Sequence, residues 1–155
     1  MRRWALFAWV GLTAGLVLGA WWAYAVLGWG GYWAWDPVEN AALMPWLAAS
    51  ALLHALVVLE RRAALELWTL ALAVGSFALT VLGAFITRGG VFSSVHAFTR
   101  SSTGPAFGVA LLVLLAGSAA LFAARARRFG GGSGLGSPVS GAAAIFLANL
   151  VFLAL

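Results

Sequence analysis

The sequence contains no cysteine and no lysine, and it has few charged residues of any kind. Only 8% of its 155 residues are charged, whereas a soluble domain carries about a quarter. The absence of cysteine excludes a disulfide framework, a thiolate metal site and a thiol redox couple formed within the chain. Apolar residues are in excess instead, since 64% of the sequence is hydrophobic and the mean hydropathy is +1.01. This composition predicts an integral membrane protein.

The apolar runs predict an all-α membrane protein with about four complete transmembrane helices and a truncated fifth. About 20 apolar residues, at about 1.5 Å each, span a bilayer of about 30 Å. Within a single membrane domain, the predicted spans are residues 4–27, 45–60, 65–87, 105–124 and, in part, 139–155. A Trp-rich segment (28–44), a polar loop (88–104) and a Gly-rich linker (125–138) connect them. For the first span, a cleaved signal peptide is the alternative, because Ala23-Tyr24-Ala25 imitates a cleavage site.

The arginines predict the orientation of these helices. With the N-terminus placed inside, seven arginines are cytoplasmic and two are outside, which satisfies the positive-inside rule. The seven are Arg2, Arg3, Arg61, Arg62, Arg125, Arg127 and Arg128, and the two are Arg88 and Arg100. The net charge of +5 is therefore explained by topology, and no nucleic-acid partner is expected. The Trp-rich segment and the polar loop are both predicted to face the periplasm.

Residues 28–46 combine aromatic, glycine and polar residues, unlike the apolar sequence on either side. Interfacial anchoring explains scattered tryptophans elsewhere, but it does not explain Trp29, Trp33 and Trp35 packed among glycines. Glycine lets the backbone approach a bulky group, and an aromatic platform beside lipid suits a large, flat, apolar ligand with a polar edge. A phosphate loop is a weak alternative, because no G-x-G-x-x-G pattern and no lysine are present.

Asp36, Pro37 and Glu39 predict the start of a helix that runs to about Glu60. Aspartate is a favoured N-cap, proline fits the first helical position, and a glutamate three residues after the cap completes a capping box. A catalytic carboxylate pair, Asp36 with Glu39, is the less favoured interpretation. Pro45 lies inside the predicted helix, so a kink or a fresh start is expected there.

The two histidines are candidate functional residues for different reasons. His54 lies in the apolar stretch Leu53-His54-Ala55, and an ionisable residue at that depth is a candidate site by default. The alternative is a neutral histidine hydrogen-bonded across a helix interface to Ser50 or Thr80. His96 lies in the predicted periplasmic loop, on the same side as the tryptophans, and the alternative there is an exposed loop histidine. Imidazole is a common haem ligand.

Residues 29–40, which read WGGYWAWDPVEN, resemble the Trp-rich (WWD) signature of the haem-handling proteins of cytochrome c biogenesis. The continuation through DPVEN to MPWL resembles the CcmF branch, and the CcmC and CcsA branches differ after the Trp-Asp pair. Leu53-His54 resembles the transmembrane histidine of that branch. Residues 88–91 (RGGV) and 94–98 (SVHAF) resemble its second periplasmic histidine segment.

This resemblance implies a role in the haem lyase complex of the bacterial inner membrane. The implied partners are a periplasmic haem chaperone of the CcmE type, apocytochrome c, the other lyase subunits and membrane lipid. The Trp-rich segment, with Trp29, Trp33, Trp35 and Asp36, would cradle the delivered haem. His96 would be one axial ligand to that haem, and His54 one axial ligand to a haem b within the membrane.

Arg88 and Arg100 are the only bases predicted outside, so they are the candidate partners of the haem propionates. Members of the family are several times longer than this chain, and each haem there has two histidine ligands. The chain is therefore interpreted as a central fragment or one piece of a split protein, inactive as a lyase by itself. A haem transport module of the CcmC or CcsA type and a non-catalytic membrane scaffold are the alternative functions.

Overall fold

The structure, a computed structural model, describes residues 1–62, 65–89 and 103–129. These ranges form four helices: α1 (Arg2–Ala25), α2 (Pro37–Arg62), α3 (Glu66–Gly89) and α4 (Gly104–Phe129). Each is long and apolar enough to cross a membrane, and the described ranges contain no strand. The predicted all-α membrane fold with four complete spans is confirmed.

The helix boundaries follow the capping signals more closely than the apolar runs. α2 begins at Pro37, directly after the predicted cap, so residues 37–44 are helical rather than part of an irregular connection. It passes through Pro45 without interruption, and no fresh start occurs there. The predicted fifth span, the linker from residue 130 onward and residues 90–102 of the polar loop, including His96 and Arg100, lie outside the described residues.

Consecutive helices pack against each other in antiparallel pairs: α1 with α2, α2 with α3 and α3 with α4. Contacts between α1 and α2 show the direction, because Arg2 pairs with Glu60 (3.1 Å) near one end while Thr13 bonds Trp46 further along. The C-terminal ends of α1 and α3 and the N-terminal ends of α2 and α4 therefore meet at one end of the bundle. We call this the Trp-rich end, since residues 26–36 lie there.

α2 is the central helix and holds most of the buried residues of the described chain. Ala51 and Ala55 of α2 form the buried cluster with Leu72 of α3. Small residues at such contacts let helices approach closely, which favours association within a membrane. α1 and α4 bury almost nothing and carry large exposed apolar side chains, as a lipid-facing or partner-facing surface requires.

Two glycines, one on α3 and one on α4, mark close backbone approaches. A Cβ at Gly83 would lie 3.1 Å from the carbonyl oxygen of Ala41. That carbonyl faces Pro45 one turn later, and proline has no N–H to donate to it. A Cβ at Gly104 would lie 2.5 Å from the Cα of Gly89, so α3 and α4 touch at the Trp-rich end. The last residue of α3 and the first residue of α4 therefore lie next to each other at this end.

Candidate functional site

The connection between α1 and α2 leaves α1 through a turn that only glycine adopts easily. The backbone N–H groups of Val26 and Leu27 both donate to the carbonyl of Trp22, at 2.9 and 3.2 Å. Gly28 and Gly30 then take positive φ values of 65° and 78°, where a Cβ would be strained. This reversal places the aromatic residues that follow beside the C-terminal half of α1.

Trp35 is held in a strained backbone conformation with its indole turned outward. Its φ is 58°, a left-handed value that costs a residue with a Cβ about 1–3 kcal/mol. The side chain of Trp35 is nevertheless 70% exposed, so burial of the indole within the described chain does not offset this strain.

Hydrogen bonds from the first turn of α2 hold the Trp33–Ala34 peptide group before Trp35 and the Trp35–Asp36 peptide group after it. The Glu39 Oε2 atom accepts from the backbone N–H of Ala34 (2.7 Å) and of Asp36 (3.4 Å). The Asn40 Nδ2 atom donates to the carbonyl oxygen of Trp35 (3.3 Å). Asp36 caps the helix, because its Oδ1 atom accepts from the N–H groups of Val38 and Glu39 at 2.8 Å each. The predicted capping role of Asp36 and Glu39 is confirmed.

An apolar groove of about 360 Å³ opens at the Trp-rich end, between α1 and the residues that follow the turn. The lining residues are Thr13, Leu16, Val17 and Ala20 of α1, Trp33 and Trp35 of the connection, and Leu43 and Trp46 of α2. The rings of Trp33 and Trp35 meet edge to face at a centroid distance of 6.1 Å. We call this feature the Trp groove. Its size lies within the range of about 300–1,000 Å³ that is typical of ligand sites.

The structure brings some of the predicted site residues to the Trp groove and leaves others apart. Trp33 and Trp35 line it, Asp36 is adjacent as the helix cap, and Trp29 does not line it. Arg88 is exposed in the last turn of α3, at the same end of the bundle. The four α1 residues were not among the predicted site residues; their spacing along α1, at positions 13, 16, 17 and 20, is the helical signal that could have indicated them.

Two buried polar atoms of this region have no hydrogen-bond partner among the described residues: Trp33 Nε1 and Asn40 Oδ1. A buried donor or acceptor left without a partner costs about 1–3 kcal/mol. Trp33 lies between the Trp groove and a second groove of about 270 Å³ lined by Trp22, Tyr32 and Glu39. A ligand or partner that supplies an acceptor to Trp33 would recover this energy.

Below the Trp groove, α1 and α2 are joined by a reciprocal pair of indole–hydroxyl bonds. Trp9 Nε1 donates to Ser50 Oγ and Trp46 Nε1 donates to Thr13 Oγ1, both at 2.8 Å. Each hydroxyl in turn donates to the carbonyl of the tryptophan one turn earlier on its own helix, again at 2.8 Å. The two indole rings stack at a centroid distance of 5.9 Å. Every polar atom in this arrangement has a partner, which favours a single packing of α1 on α2.

His54 lies one turn beyond Ser50 on α2, with an exposed side chain. Its Nδ1 atom is 2.9 Å from the carbonyl oxygen of Ser50. A carbonyl only accepts, so Nδ1 carries the proton and the lone pair of the imidazole is on Nε2, the nitrogen suited to bind a metal. The predicted involvement of Ser50 holds, but the bond runs along the same helix to the backbone rather than across an interface. Thr80 donates to Ser76 of α3.

Comparison with known proteins identifies the family. Residues 1–92 match the family model described as cytochrome C assembly protein. A cytochrome c-type biogenesis protein CycK from Rhizobium meliloti is 51% identical over 97% of this chain and 22% of its own length. The cytochrome c-type biogenesis protein CcmF from Escherichia coli is 53% identical over 82% of this chain and 20% of its own length. No solved structure matches the chain.

The chain spans about a fifth of the length of these curated relatives. The matched residues include α3 and the elements that line the Trp groove and carry His54, namely α1, the Trp-rich connection and α2. The resemblance inferred from the Trp-rich signature is confirmed: the chain belongs to the cytochrome c assembly protein family and is similar to its CcmF members.

Proposed function

We propose that this chain is the haem-handling part of a cytochrome c haem lyase, and that the Trp groove holds the haem to be attached. The observation that carries this proposal is the groove itself, an aromatic, apolar cleft at the end of the bundle where the chain presents Trp35 outward. Indole faces and edges suit a flat macrocycle, whose attraction to them exceeds simple burial of area.

The residues of the groove fit haem in a second respect. Haem has carboxylates at one edge, and the buried Trp33 Nε1 has no acceptor among the described residues. Arg88, exposed at the same end, is a further candidate for a charge-assisted bond to a propionate. Arg100 and His96, which lie outside the described residues, remain the proposed second propionate partner and axial ligand. When bound, haem supplies the iron and the vinyl groups, and the chain's own residues orient it and exclude water.

The remaining assignments rest on this proposal. His54 would ligate a haem b in the membrane through Nε2. The Trp-rich end would face the periplasm with the N-terminus in the cytoplasm, in the bacterial inner membrane. There the groove would receive haem from a CcmE-type chaperone and present it to apocytochrome c, as one part of a complex with other lyase subunits. The relatives named above support the cytochrome c context, and these partners are our inference from it.

Titration of the purified chain with haemin in detergent tests the proposal, using a His54→Ala background so that the membrane site does not contribute. Trp35→Ala should weaken haemin binding roughly three- to tenfold, because one aromatic contact is worth about 0.5–1.5 kcal/mol beyond its buried area. Trp4→Ala is the matched control, since Trp4 is 78% exposed near the other end of α1 and should bind haemin like the parent. Equal affinities for all three proteins would show that the groove is not the site, and a Soret band that stays identical to that of free haemin in detergent would favour a scaffold.

A further inference from the structure

We infer that Glu39 and Asn40 are positioning residues for Trp35, holding its backbone in the left-handed conformation that presents the indole to the Trp groove. The inference deepens the proposed function and rests on it for the identity of the ligand. Its structural part, that these two side chains stabilise a strained Trp35, stands on the geometry of the chain by itself.

The first step is that the backbone conformation of Trp35 is unfavourable for this residue by itself. A tryptophan at φ 58° carries a steric penalty that glycine would avoid. Strain of this kind persists only where the surrounding structure over-determines it, and it is concentrated at functional sites. The exposed indole of Trp35 makes an edge contact with Trp33, but most of its surface is not buried by the described chain.

The second step is that the contacts of Glu39 exceed those of a helix cap. In a capping box, the third residue after the cap reaches back to the N–H of the cap itself. Here that bond is the longer one, at 3.4 Å to Asp36, and the shorter one, at 2.7 Å, goes to Ala34 on the far side of Trp35. The side chain of Glu39 thus bridges Trp35. Glu39 is only 9% exposed, so water competes little for this charge-assisted bond.

The third step is that Asn40 holds the peptide group between Trp35 and Asp36, which Glu39 contacts only through its longer bond. Its Nδ2 atom donates to the carbonyl oxygen of Trp35, outside the hydrogen bonds of α2. The backbone is therefore held at the peptide group that precedes Ala34 and at the one that follows Trp35. An aromatic side chain fixed in this way loses little freedom when a ligand binds, and such preorganisation raises affinity.

A matched pair of substitutions isolates the strain. Trp35→Gly and Trp35→Ala both remove the indole, but only alanine keeps the Cβ that disfavours the left-handed conformation. The melting temperature of Trp35→Gly, followed by circular dichroism, should therefore be higher than that of Trp35→Ala. A lower melting temperature for Trp35→Gly would show that the site is not strained and would overturn the inference.

Substitutions at Glu39 and Asn40 test whether these two side chains hold the backbone of Trp35, an arrangement that we call the clamp. Glu39→Ala and Asn40→Ala should lower the melting temperature less in the Trp35→Gly background than in the wild-type background. Glycine at position 35 adopts the left-handed conformation without strain, so the bonds of Glu39 and Asn40 have less effect there. Glu39→Gln, which retains an acceptor, should restore most of the loss seen in Glu39→Ala. Thr87→Ala is the control, since Thr87 makes a side chain–backbone bond near the same end of the bundle and should behave alike in both backgrounds. Equal losses in both backgrounds for Glu39 would leave it a helix cap only and contradict the inference.

A fluorine spectrum separates this inference from the proposed function. Labelling with 5-fluorotryptophan gives a signal for each of the nine tryptophans, and the one missing from Trp35→Phe belongs to Trp35. That signal should shift or broaden in Glu39→Ala and Asn40→Ala without any haem present, whereas haemin affinity should fall at least threefold in the same variants. An unchanged Trp35 signal overturns the clamp. If the Trp35 signal changes but Glu39→Ala, Asn40→Ala and Trp35→Ala all bind haemin as tightly as the parent chain, the proposed function is overturned and the clamp stands.

Discussion

Removal of His54 should abolish histidine ligation of haem within the membrane part of this chain. The sequence has two histidines, so in a His96→Ala background His54 is the only imidazole that can bind iron. The Nδ1 atom of His54 is hydrogen-bonded to the Ser50 carbonyl oxygen, and the side chain is exposed. Nε2 is therefore the ring nitrogen that can bind iron. We expect the His96→Ala chain to give a histidine-ligated Soret band with haemin, and the variant that also carries His54→Ala to lose it.

Two observations control this experiment. Thr80→Ala in the same background should leave the spectrum unchanged, because Thr80 bonds to Ser76 on its own helix. Circular dichroism should show that His54→Ala still folds, since an exposed side chain contributes little to packing. A spectrum that persists when both histidines are removed would mean that His54 is not a ligand.

The second large effect is expected at Gly104, where α4 begins. A Cβ there would lie 2.5 Å from Gly89 Cα and 2.9 Å from the Arg88 carbonyl oxygen, and both are backbone atoms that cannot rotate away. Gly104→Val should therefore push α4 from α3 and lower the free energy of unfolding by about 1–3 kcal/mol or more.

Gly117→Ala provides the matched control for Gly104→Val. Gly117 lies on the same helix with nothing within 4 Å of its Cβ position, and alanine is favoured over glycine in a helix by about 0.5–1 kcal/mol. Thermal unfolding followed by circular dichroism should show Gly117→Ala at or above the wild type. A Gly104→Val protein as stable as Gly117→Ala would show that the two helices do not touch at Gly104.

Much of the fold follows from local signals in the sequence. Apolar runs of about the bilayer thickness gave four spans that agree with α1 to α4, and Asp36 with Glu39 marked the start of α2 to the residue. The fresh start that Pro45 suggested does not occur, and the backbone of Gly83 packs beside the Ala41 carbonyl that proline leaves without an N–H donor. That contact joins residues distant in sequence, and no local pattern reveals it.

The same distinction between local signals and contacts distant in sequence applies to the candidate site. The Trp33, Trp35 and Asp36 cluster is contiguous in sequence, so its composition alone indicated a ligand platform. The contribution of Thr13, Leu16 and Trp46 depends on how α1 packs on α2, which the paired indole–hydroxyl bonds determine. The left-handed Trp35 also escaped prediction, since tryptophan has no preference for that conformation and the bonds around it, from Ala34 to Glu39 and from Asn40 to Trp35, are visible only in the structure.

The most direct test of the central proposal is to measure where haem binds along the bundle. The chain has no cysteine, so one spin label can be placed at Ala34→Cys, in the exposed part of the Trp-rich connection, or at Arg62→Cys, at the opposite end of α2. The two ends of a 26-residue helix are separated by about 39 Å. In a His54→Ala background, haemin iron should shorten the relaxation time of the label at position 34 and leave the label at position 62 nearly unaffected. Equal relaxation at both positions, or a stronger effect at position 62, would contradict a haem site in the Trp groove.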